Sequence, residues 1–314
     1  MFSYRHAFHA GNHADVLKHA VLIALLKHLA GRDTALMVLD THAGAGLYRL
    51  DGDYANTSGE AENGIYQLLS ETNANIVHKN KGQSATKNEL KTDEKQSDIL
   101  SDYIDTIMSF NPKGATKPTI YPGSPFIIQR FLQGRDRLKA FEIHPTDSKT
   151  LAANLAQLDA GRQIAVLKED GFEAVKKFLP PPSKRALLLC DPSYEMKSDY
   201  PRVVAMVTDA VKRFPTGTYA VWYPIIPRPE AHDLPRKLKT LANRVGKPFL
   251  NVSLTVKSSK LTKTADGEIE RPGLPASGMF IINPPFTLKP ALEAAMPHIA
   301  TRLGQDANAA FTLE

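Results

Sequence analysis

Cysteine is almost missing from this chain of 314 residues, because Cys190 is the only one. A single cysteine cannot form an internal disulfide, so the fold gains nothing from an oxidising compartment and a cytoplasmic protein is expected. Long apolar runs are missing as well. The stretch from Ala20 to Leu26 is flanked by Lys-His pairs and falls far short of the roughly 20 residues that span a bilayer. It predicts a buried helix, and no membrane partner is expected.

The composition is otherwise ordinary and mildly basic. Hydrophobic residues make up 42% and charged residues 23%, which indicates neither disorder nor a membrane protein. The 39 Lys and Arg residues exceed the 33 Asp and Glu residues and give a net charge of +6, which favours a polyanionic partner without requiring one. Neither a repeat nor a dividing linker is visible, so residues 1–314 are predicted to form a single domain.

Short apolar runs alternate with helix-like stretches, as in βαβ units with a parallel sheet. The first helix is predicted to be capped by Asp15 and to end at Gly31. Residues 73–117 are too polar to add to the main core and predict a surface excursion within an inserted segment, 48–120. Residues 257–275 form a long connection that predicts a hairpin and therefore an antiparallel last strand. About seven strands are predicted, at residues 35–39, 138–141, 164–167, 186–190, 219–223, 250–256 and 279–282.

Acids and glycines follow these strands, where ligands of open α/β sheets bind. Gly44 and Gly46 allow a tight turn and a close backbone approach after the first strand. A nicotinamide dinucleotide fingerprint would need a third glycine where this chain has Arg49, which disfavours an oxidoreductase. Glu142 suits both hydroxyls of a ribose, and Asp170-Gly171 suits an adenine amino group. Taken alone, the glycine turn is as typical of an ordinary turn, Glu142 of a solvated acid at a strand end, and Asp170-Gly171 more often of a simple turn.

The fourth strand end, Asp191-Pro192-Ser193-Tyr194, carries the predicted chemistry. An exocyclic adenine nitrogen is a poor nucleophile because its lone pair is delocalised into the ring. The Asp191 carboxylate and the Pro192 carbonyl can accept its two N–H groups, and proline stiffens the turn beforehand. Tyr194 offers a flat face for an extruded base, worth ~1–3 kcal/mol.

Two other segments compete for a functional role. Asn283 to Phe286 has a similar pattern, but an antiparallel last strand would direct its end away from the ligand crevice, so a structural turn is predicted. The histidines of the N-terminal stretch suggest a metal site only weakly, because no cysteine and no fixed pair on a helix face accompanies them. We expect no metal, and we expect this basic, aromatic stretch to contact phosphates and bases.

Together these segments resemble the bacterial large-subunit ribosomal RNA adenine-N6 methyltransferase J family, nearly from end to end except for the polar excursion. The N-terminal run and the order of the motifs carry the resemblance more specifically than any single glycine turn. The segments are MFSYRHAFHAGNHADVLKH, DTHAGAGLY, YPGSP, EIHP, EDGF, DPSYEMKSDY, VWYP and SGMFIINPPF.

The resemblance implies a Class I (Rossmann-like) S-adenosylmethionine-dependent methyltransferase, an α/β fold with a seven-stranded, mostly parallel sheet, an antiparallel last strand and a small helical insertion. It implies S-adenosyl-L-methionine as cofactor and 23S ribosomal RNA as substrate. A monomer is expected. Asp191 would be the catalytic acceptor, and Tyr4, with Arg5 and His6, would lie by the RNA. The residues expected at the cofactor are Lys18, His19, His42, Gly44, Gly46, Ser124, Glu142, Asp170, Gly171 and Asp191.

Two departures from the family pattern leave alternatives open. Ser193 stands where the family's motif normally has a second proline, which removes some rigidity and predicts retained but slower activity. The longer polar stretch leaves the RNA role of the insertion undetermined. A DNA adenine-N6 methyltransferase and a noncatalytic RNA-binding protein with the same fold remain the alternatives.

Overall fold

The computed structural model describes residues 6–52, 57, 59–70, 98–260, 262–263, 269–270 and 273–314. Within these ranges the strands are β1 (Met37–Asp40), β2 (Leu47–Arg49), β3 (Ile120–Pro122), β4 (Arg137–Phe141), β5 (Ile164–Leu167), β6 (Ala186–Cys190), β7 (Thr218–Ile225), β8 (Phe249–Thr255), β9 (Thr262–Lys263), β10 (Ile269–Glu270), β11 (Ala276–Ile282) and β12 (Ala310–Leu313). The helices are α1 (His13–Ala30), α2 (Ile99–Met108), α3 (Ser124–Phe131), α4 (Pro145–Ala156), α5 (Gly171–Ala174), α6 (Asp199–Arg213), α7 (Pro229–Arg244) and α8 (Leu288–Leu303).

The main sheet has the strand order β12-β8-β11-β7-β6-β1-β4-β5. The five adjacent strands β7, β6, β1, β4 and β5 are all parallel. Strand β11 runs antiparallel to both of its neighbours, β7 and β8. The predicted antiparallel return is therefore confirmed. The sheet has eight strands rather than seven, because β12 adds an edge beside β8. Two of its four residues are exposed and two are half-buried, so the apolar pattern that marked the other strands is weak there.

Helices cover both faces of the sheet, and alternate residues of each central strand face opposite layers. In β6, Leu187 and Leu189 pack in one apolar cluster with α1, α3 and α8. Leu188 and Cys190 pack in the other, with α6 and α7. Burial on both faces explains why this strand is a continuous apolar run. No described helix is apolar over enough length to cross a membrane.

Helix α1 begins earlier than the sequence suggested. The side chain of Asn12 accepts hydrogen bonds from the backbone N–H groups of Ala14 (3.0 Å) and Asp15 (2.9 Å), so Asn12 is the N-cap. The prediction of Asp15 as the cap was wrong, whereas the end at Gly31 is confirmed. Asp15 lies inside the first turn, where its Oδ2 accepts a hydrogen bond from the Gly11 N–H at 3.0 Å.

The prediction that residues 73–117 add nothing to the core was also wrong for the part that the structure describes. Residues 73–97 lie outside the described residues. Helix α2 packs against α1 and α8 and buries one face, which carries Ile99, Leu100, Tyr103 and Ile107. Apolar residues spaced three and four apart on one helix suffice for this, even when the surrounding composition is polar.

Candidate active site

The carboxyl ends of β1, β4, β5 and β6 meet at one cavity of about 660 Å³. The strand order reverses at β1, which has β4 on one side and β6 on the other, and a crevice forms at such a point. Most residues named from the sequence line it together: His6, Lys18, His19, His42, Gly44, Ser124, Glu142, Asp170, Gly171, Asp191, Pro192 and Tyr194.

Gly46 does not line the cavity and has a packing role. It adopts a φ of +82°, and a Cβ there would lie 2.7 Å from Leu151 Cδ1 and 2.9 Å from Phe126 Cε2. Its carbonyl also accepts a 2.7 Å hydrogen bond from the N–H of Gly123. Gly46 is therefore needed for the packing of the turn against helices α3 and α4, and it is not a cavity-lining residue.

A buried ion-pair cluster ties α1 to the end of β6. Lys18 Nζ lies 2.7 Å from Asp191 Oδ2 and 3.0 Å from Asp15 Oδ1. Burial alone would lower the pKa of Lys18, but the two carboxylates raise it well above its usual value. Burial would likewise raise the pKa of Asp15, yet the charges of His6 and Lys18 hold it well below its usual value. Because both groups stay ionised, Lys18 fixes the position of the Asp191 carboxylate.

The Asp191 loop leaves one acceptor unused. Asp191 Oδ1 is buried and has no hydrogen-bond partner among the described residues, which is costly unless a ligand supplies one.

Tyr194 has a φ of +53°, which a non-glycine residue rarely adopts. Its hydroxyl donates to the Trp222 carbonyl at 2.7 Å, and Arg228 Nη1 donates to the Tyr194 carbonyl at 3.2 Å. These contacts hold the turn in place.

Tyr194 itself is almost fully covered. Only 2% of the residue is exposed, and its ring centroid lies 4.7 Å from that of Tyr200 and 5.9 Å from that of Trp222. The ring therefore forms part of the cavity wall. Ser193, by contrast, is exposed.

Glu142 closes the glycine turn from the neighbouring strand. Its Oε2 accepts from the Gly44 N–H at 2.8 Å and its Oε1 from the His144 N–H at 2.7 Å. Each carboxylate oxygen retains a further acceptor site. Burial raises the pKa of Glu142, with the two backbone N–H groups opposing the shift. The carboxylate is thus held by the backbone with its remaining lone pairs available for hydroxyl donors.

Asp170 and Gly171 begin helix α5 beside the cavity. Asp170 Oδ1 accepts from the Phe172 N–H at 3.0 Å, which makes Asp170 the N-cap. Its Oδ2 pairs with Arg202, and the Arg202 guanidinium carbon lies 4.3 Å from the centroid of the Phe172 ring. A Cβ at Gly171 would lie 2.1 Å from the Thr41 carbonyl oxygen, so only glycine fits here.

Gly171→Ala is therefore expected to destabilise the fold by about 3 kcal/mol, because the clash is with backbone that cannot swing away. Gly134→Ala is the matched control, since a Cβ at Gly134 meets nothing within 4 Å and a change of about 0.5 kcal/mol or less is expected. Urea denaturation of both variants measures the difference. Equal stability of the two variants would contradict the close packing of Gly171 on Thr41.

Three further residues place polar atoms at the cavity. Ser124 begins α3 and is buried. Burial lowers the pKa of His42 to about 4 and that of His19 to about 3, so both imidazoles are neutral near pH 7. His42 Nδ1 lies 2.7 Å from the hydroxyl of Thr41.

His6 is the predicted RNA-contacting residue that the structure describes, because Tyr4 and Arg5 lie outside the described residues. His6 Nε2 lies 3.0 Å from Asp15 Oδ2, and its ring centroid is 5.0 Å from that of Tyr48. These contacts attach the N-terminal segment to the ion-pair cluster.

Asp40 is a buried acid directly before the cavity-lining residues Thr41 and His42, and it was not among the expected cofactor contacts. It is fully buried at the end of β1, and neither carboxylate oxygen has a hydrogen-bond partner among the described residues. Burial and the charge of Asp191 raise the pKa of Asp40 to about 7, against smaller opposing influences from Ser124 and Lys18. The sequence does indicate a buried position for this acid, because Asp40 is the last residue of an otherwise apolar strand. Asp15 was detectable too, as an acid three residues before Lys18 on an apolar helix.

The segment from Asn283 to Phe286 lies at the other end of the sheet. Asn283 Nδ2 donates to the carbonyls of Pro215 (3.0 Å) and Gly217 (2.7 Å), just before β7 begins. Asp191 follows β6, which runs parallel to β7. Asn283 is therefore a structural turn residue remote from the cavity.

Comparisons with known proteins identify the family of this chain. The model of a protein family described as Ribosomal RNA large subunit methyltransferase D, RlmJ, matches residues 33–80 and 78–314. The Ribosomal RNA large subunit methyltransferase J of Haemophilus influenzae is 34% identical over 314 residues, covering 100% of this chain and 98% of that protein. The protein of the same name from Escherichia coli is 36% identical over 306 residues, covering 96% and 94%. A crystal structure of a Legionella pneumophila protein, 27% identical, matches with a TM-score of 0.77 over 98% of each chain.

Proposed function

The chain belongs to the ribosomal RNA large subunit methyltransferase RlmJ family, and we propose from this premise that it methylates N6 of an adenine in 23S ribosomal RNA. The observation that carries the proposal is the buried, unpartnered Oδ1 of Asp191 at the cavity. A buried acceptor without a donor is costly in the free protein. An adenine amino group supplies the donor that is missing.

The cofactor that fits is S-adenosyl-L-methionine, which supplies an electrophilic methyl group when bound. The cavity offers suitable partners for each part of such a molecule. Glu142 has acceptor sites for ribose hydroxyls, and Asp170 with Gly171 begins a helix where an adenine amino group would find an acceptor. The unpartnered Nε2 of His19, which lines the cavity, suits the carboxylate of the amino-acid end. Lys18, His42, Gly44 and Ser124 complete this wall.

For the transfer, Asp191 and Pro192 hold the target amino group. Lys18 occupies Asp191 Oδ2, so Oδ1 accepts one N–H of the adenine and the Pro192 carbonyl accepts the other. When both N–H groups are held in hydrogen bonds, the lone pair is localised on the nitrogen. The fixed positions of the two acceptors would orient this lone pair toward the methyl group. The N–C bond would form as the methyl–sulfur bond of the sulfonium breaks, and the Asp191 carboxylate would stabilise the positive charge on the nitrogen. The displaced N–H proton would pass to this carboxylate or to water, during or after the transfer.

The base must leave its stack to reach this pocket. Tyr194 lines the cavity with little of its ring exposed, so a base would contact the part of the ring that faces the cavity. The net charge of +6 and the arginines Arg202 and Arg228 at the cavity favour an RNA backbone over a neutral substrate. His6, Tyr4 and Arg5 are proposed to meet the RNA beside the opening.

The test is to incubate the full chain with S-adenosylmethionine carrying a labelled methyl group and with ribosomal RNA from cells lacking the enzyme. Label is expected on N6 of one adenine of 23S RNA, found by nuclease mapping. DNA oligomers of matching sequence serve as competitors, because the amino-group contacts do not read the sugar. Label on DNA alone would favour the DNA enzyme, and RNA binding without any transfer would favour the noncatalytic alternative.

Ser193→Pro is expected to raise kcat by about two- to fivefold. A proline lowers the conformational entropy of the loop before substrate binds, and this is worth about 0.4–1 kcal/mol of free energy. The KM for the cofactor is expected to stay constant, since the change lies outside the predicted cofactor contacts. Single-turnover methylation of RNA measures both variants. A lower kcat would show that the serine, exposed here, has a role that rigidity does not replace.

A further inference from the structure

A buried hydrogen-bond chain leads from the inserted helix α2 to the cavity. The hydroxyl of Tyr103 on α2 lies 3.1 Å from the hydroxyl of Tyr121, which in turn lies 2.9 Å from Nδ1 of His19. All three residues are completely buried. The His19 and Tyr121 rings are also stacked, with centroids 5.6 Å apart and planes inclined by 29°.

Which group donates in each of these two hydrogen bonds follows from the number of hydroxyl hydrogens that find an acceptor. If Tyr103 donates to Tyr121 and Tyr121 donates to His19 Nδ1, both hydroxyl hydrogens have an acceptor. In the opposite direction His19 would donate to Tyr121, Tyr121 to Tyr103, and the Tyr103 hydrogen would have no acceptor among the described residues. A buried donor without an acceptor costs about 1–3 kcal/mol. The first direction is therefore favoured.

Both tyrosines keep their hydrogens, because burial raises the pKa of Tyr103 and of Tyr121 above the usual value. Burial also keeps His19 neutral, with a pKa of about 3, so its ring carries one hydrogen. Since Nδ1 accepts from Tyr121, that hydrogen is on Nε2. His19 Nε2 has no partner among the described residues, and His19 lines the cavity.

We propose that Tyr103 and Tyr121 are positioning residues that fix His19 as an Nε2–H donor for a carboxylate, namely that of the cofactor's amino-acid end. This inference rests on the proposed function. Among the other described residues that line the cavity, the unpartnered polar atoms are Asp191 Oδ1, which accepts and so suits an ammonium group, and Trp222 Nε1. Trp222 lies beside Tyr194, with ring centroids 5.9 Å apart, on the side proposed for the adenine. Lys18 is engaged by two carboxylates. His19 is thus the neutral donor that a carboxylate needs beside these acids.

The ring nitrogens of His19 give a direct test on the full chain without ligand. Nitrogen-15 NMR of histidine-labelled protein, with His19 assigned from a His19→Gln variant, is expected to show Nδ1 as the bare nitrogen and Nε2 as the protonated one. In Tyr121→Phe the donor to Nδ1 is lost, and a mixture of the two tautomers is expected. An Nδ1–H tautomer in the wild type, or an unchanged single tautomer in Tyr121→Phe, would overturn the proposal.

Binding of two nucleosides separates positioning from general damage to the pocket. S-adenosylhomocysteine carries the carboxylate and methylthioadenosine lacks the amino-acid end. Calorimetry is expected to show that Tyr121→Phe weakens S-adenosylhomocysteine binding about tenfold, as loss of one oriented hydrogen bond would do, and changes methylthioadenosine binding by less than about twofold. Tyr103→Phe is expected to have a smaller effect of the same kind, about threefold.

Tyr223→Phe is the matched control. Its hydroxyl is also buried and donates to Asn251 Oδ1 at 2.7 Å, but Tyr223 does not line the cavity, so binding of neither nucleoside should change. Equal weakening of both nucleosides by Tyr121→Phe, or no weakening, would refute the positioning role. Failure of the wild type to bind S-adenosylhomocysteine would instead refute the proposed function, while the NMR result would still report on the tautomer.

Discussion

Asp191→Asn is expected to lower kcat for methyl transfer by about 10³-fold, the scale of losing one preorganised catalytic contact. Lys18 Nζ lies 2.7 Å from Asp191 Oδ2 and would hold the amide oxygen of the asparagine. The amide NH₂ would then face the cavity. An NH₂ group donates and cannot accept, so it would oppose the adenine amino group instead of binding it.

Single-turnover methylation of 23S RNA measures this loss, and denaturation measures the fold. The unfolding free energy is expected to change by only about 1 kcal/mol, because Lys18 remains paired with Asp15. Asp199→Asn is a matched control, since Asp199 also lines the cavity but begins α6 instead of following a strand. Methylation by Asp191→Asn at the rate of this control would remove Asp191 from the mechanism.

Lys18→Met is expected to have the largest effect on stability, about 3–5 kcal/mol, because it leaves two buried carboxylates without their cation. Lys18 is only 6% exposed, so solvent screens the pair weakly. Methylation is expected to fall as well, since the orientation of Asp191 depends on this ion pair. Urea denaturation monitored by circular dichroism gives the change in unfolding free energy.

Lys27→Met tests the same chemistry at the surface of the same helix. Lys27 Nζ lies 2.6 Å from Asp102 Oδ2, but the two side chains are 39% and 24% exposed, so water screens the pair and a loss of about 1 kcal/mol or less is expected. Similar losses for the two lysine variants would mean that the buried cluster adds no special stability.

Local sequence patterns were sufficient for seven of the eight strands of the main sheet and for the strand-end residues at the cavity, whereas Lys18, His19, His42 and Ser124 were expected there only from the family resemblance. The apolar runs located β1, β4, β5 and β6, and parallel strands necessarily bring their carboxyl ends together. Glu142 and Asp191 could be identified because each follows such a run. The antiparallel β11 followed from the long connection before it. These features depend on residues close in the chain or on general rules of topology.

What the sequence did not reveal depends on contacts between distant residues. Lys18 and Asp191 are 173 positions apart, and neither position alone indicates the pair. The chain from Tyr103 through Tyr121 to His19 similarly spans three separate segments. The core role of α2 was hidden because its apolar face is short and its neighbours are polar. Asn12 was overlooked as a cap because Asp15 is an equally good capping residue.

The position of α1 has a consequence for the biosynthesis of the enzyme. This helix is translated early, yet it packs on β11, which ends at Ile282, and Lys18 pairs with Asp191. The site therefore cannot assemble while those later residues are still within the ribosomal exit tunnel. A nascent chain therefore cannot complete this site before both Asp191 and β11 have left the tunnel.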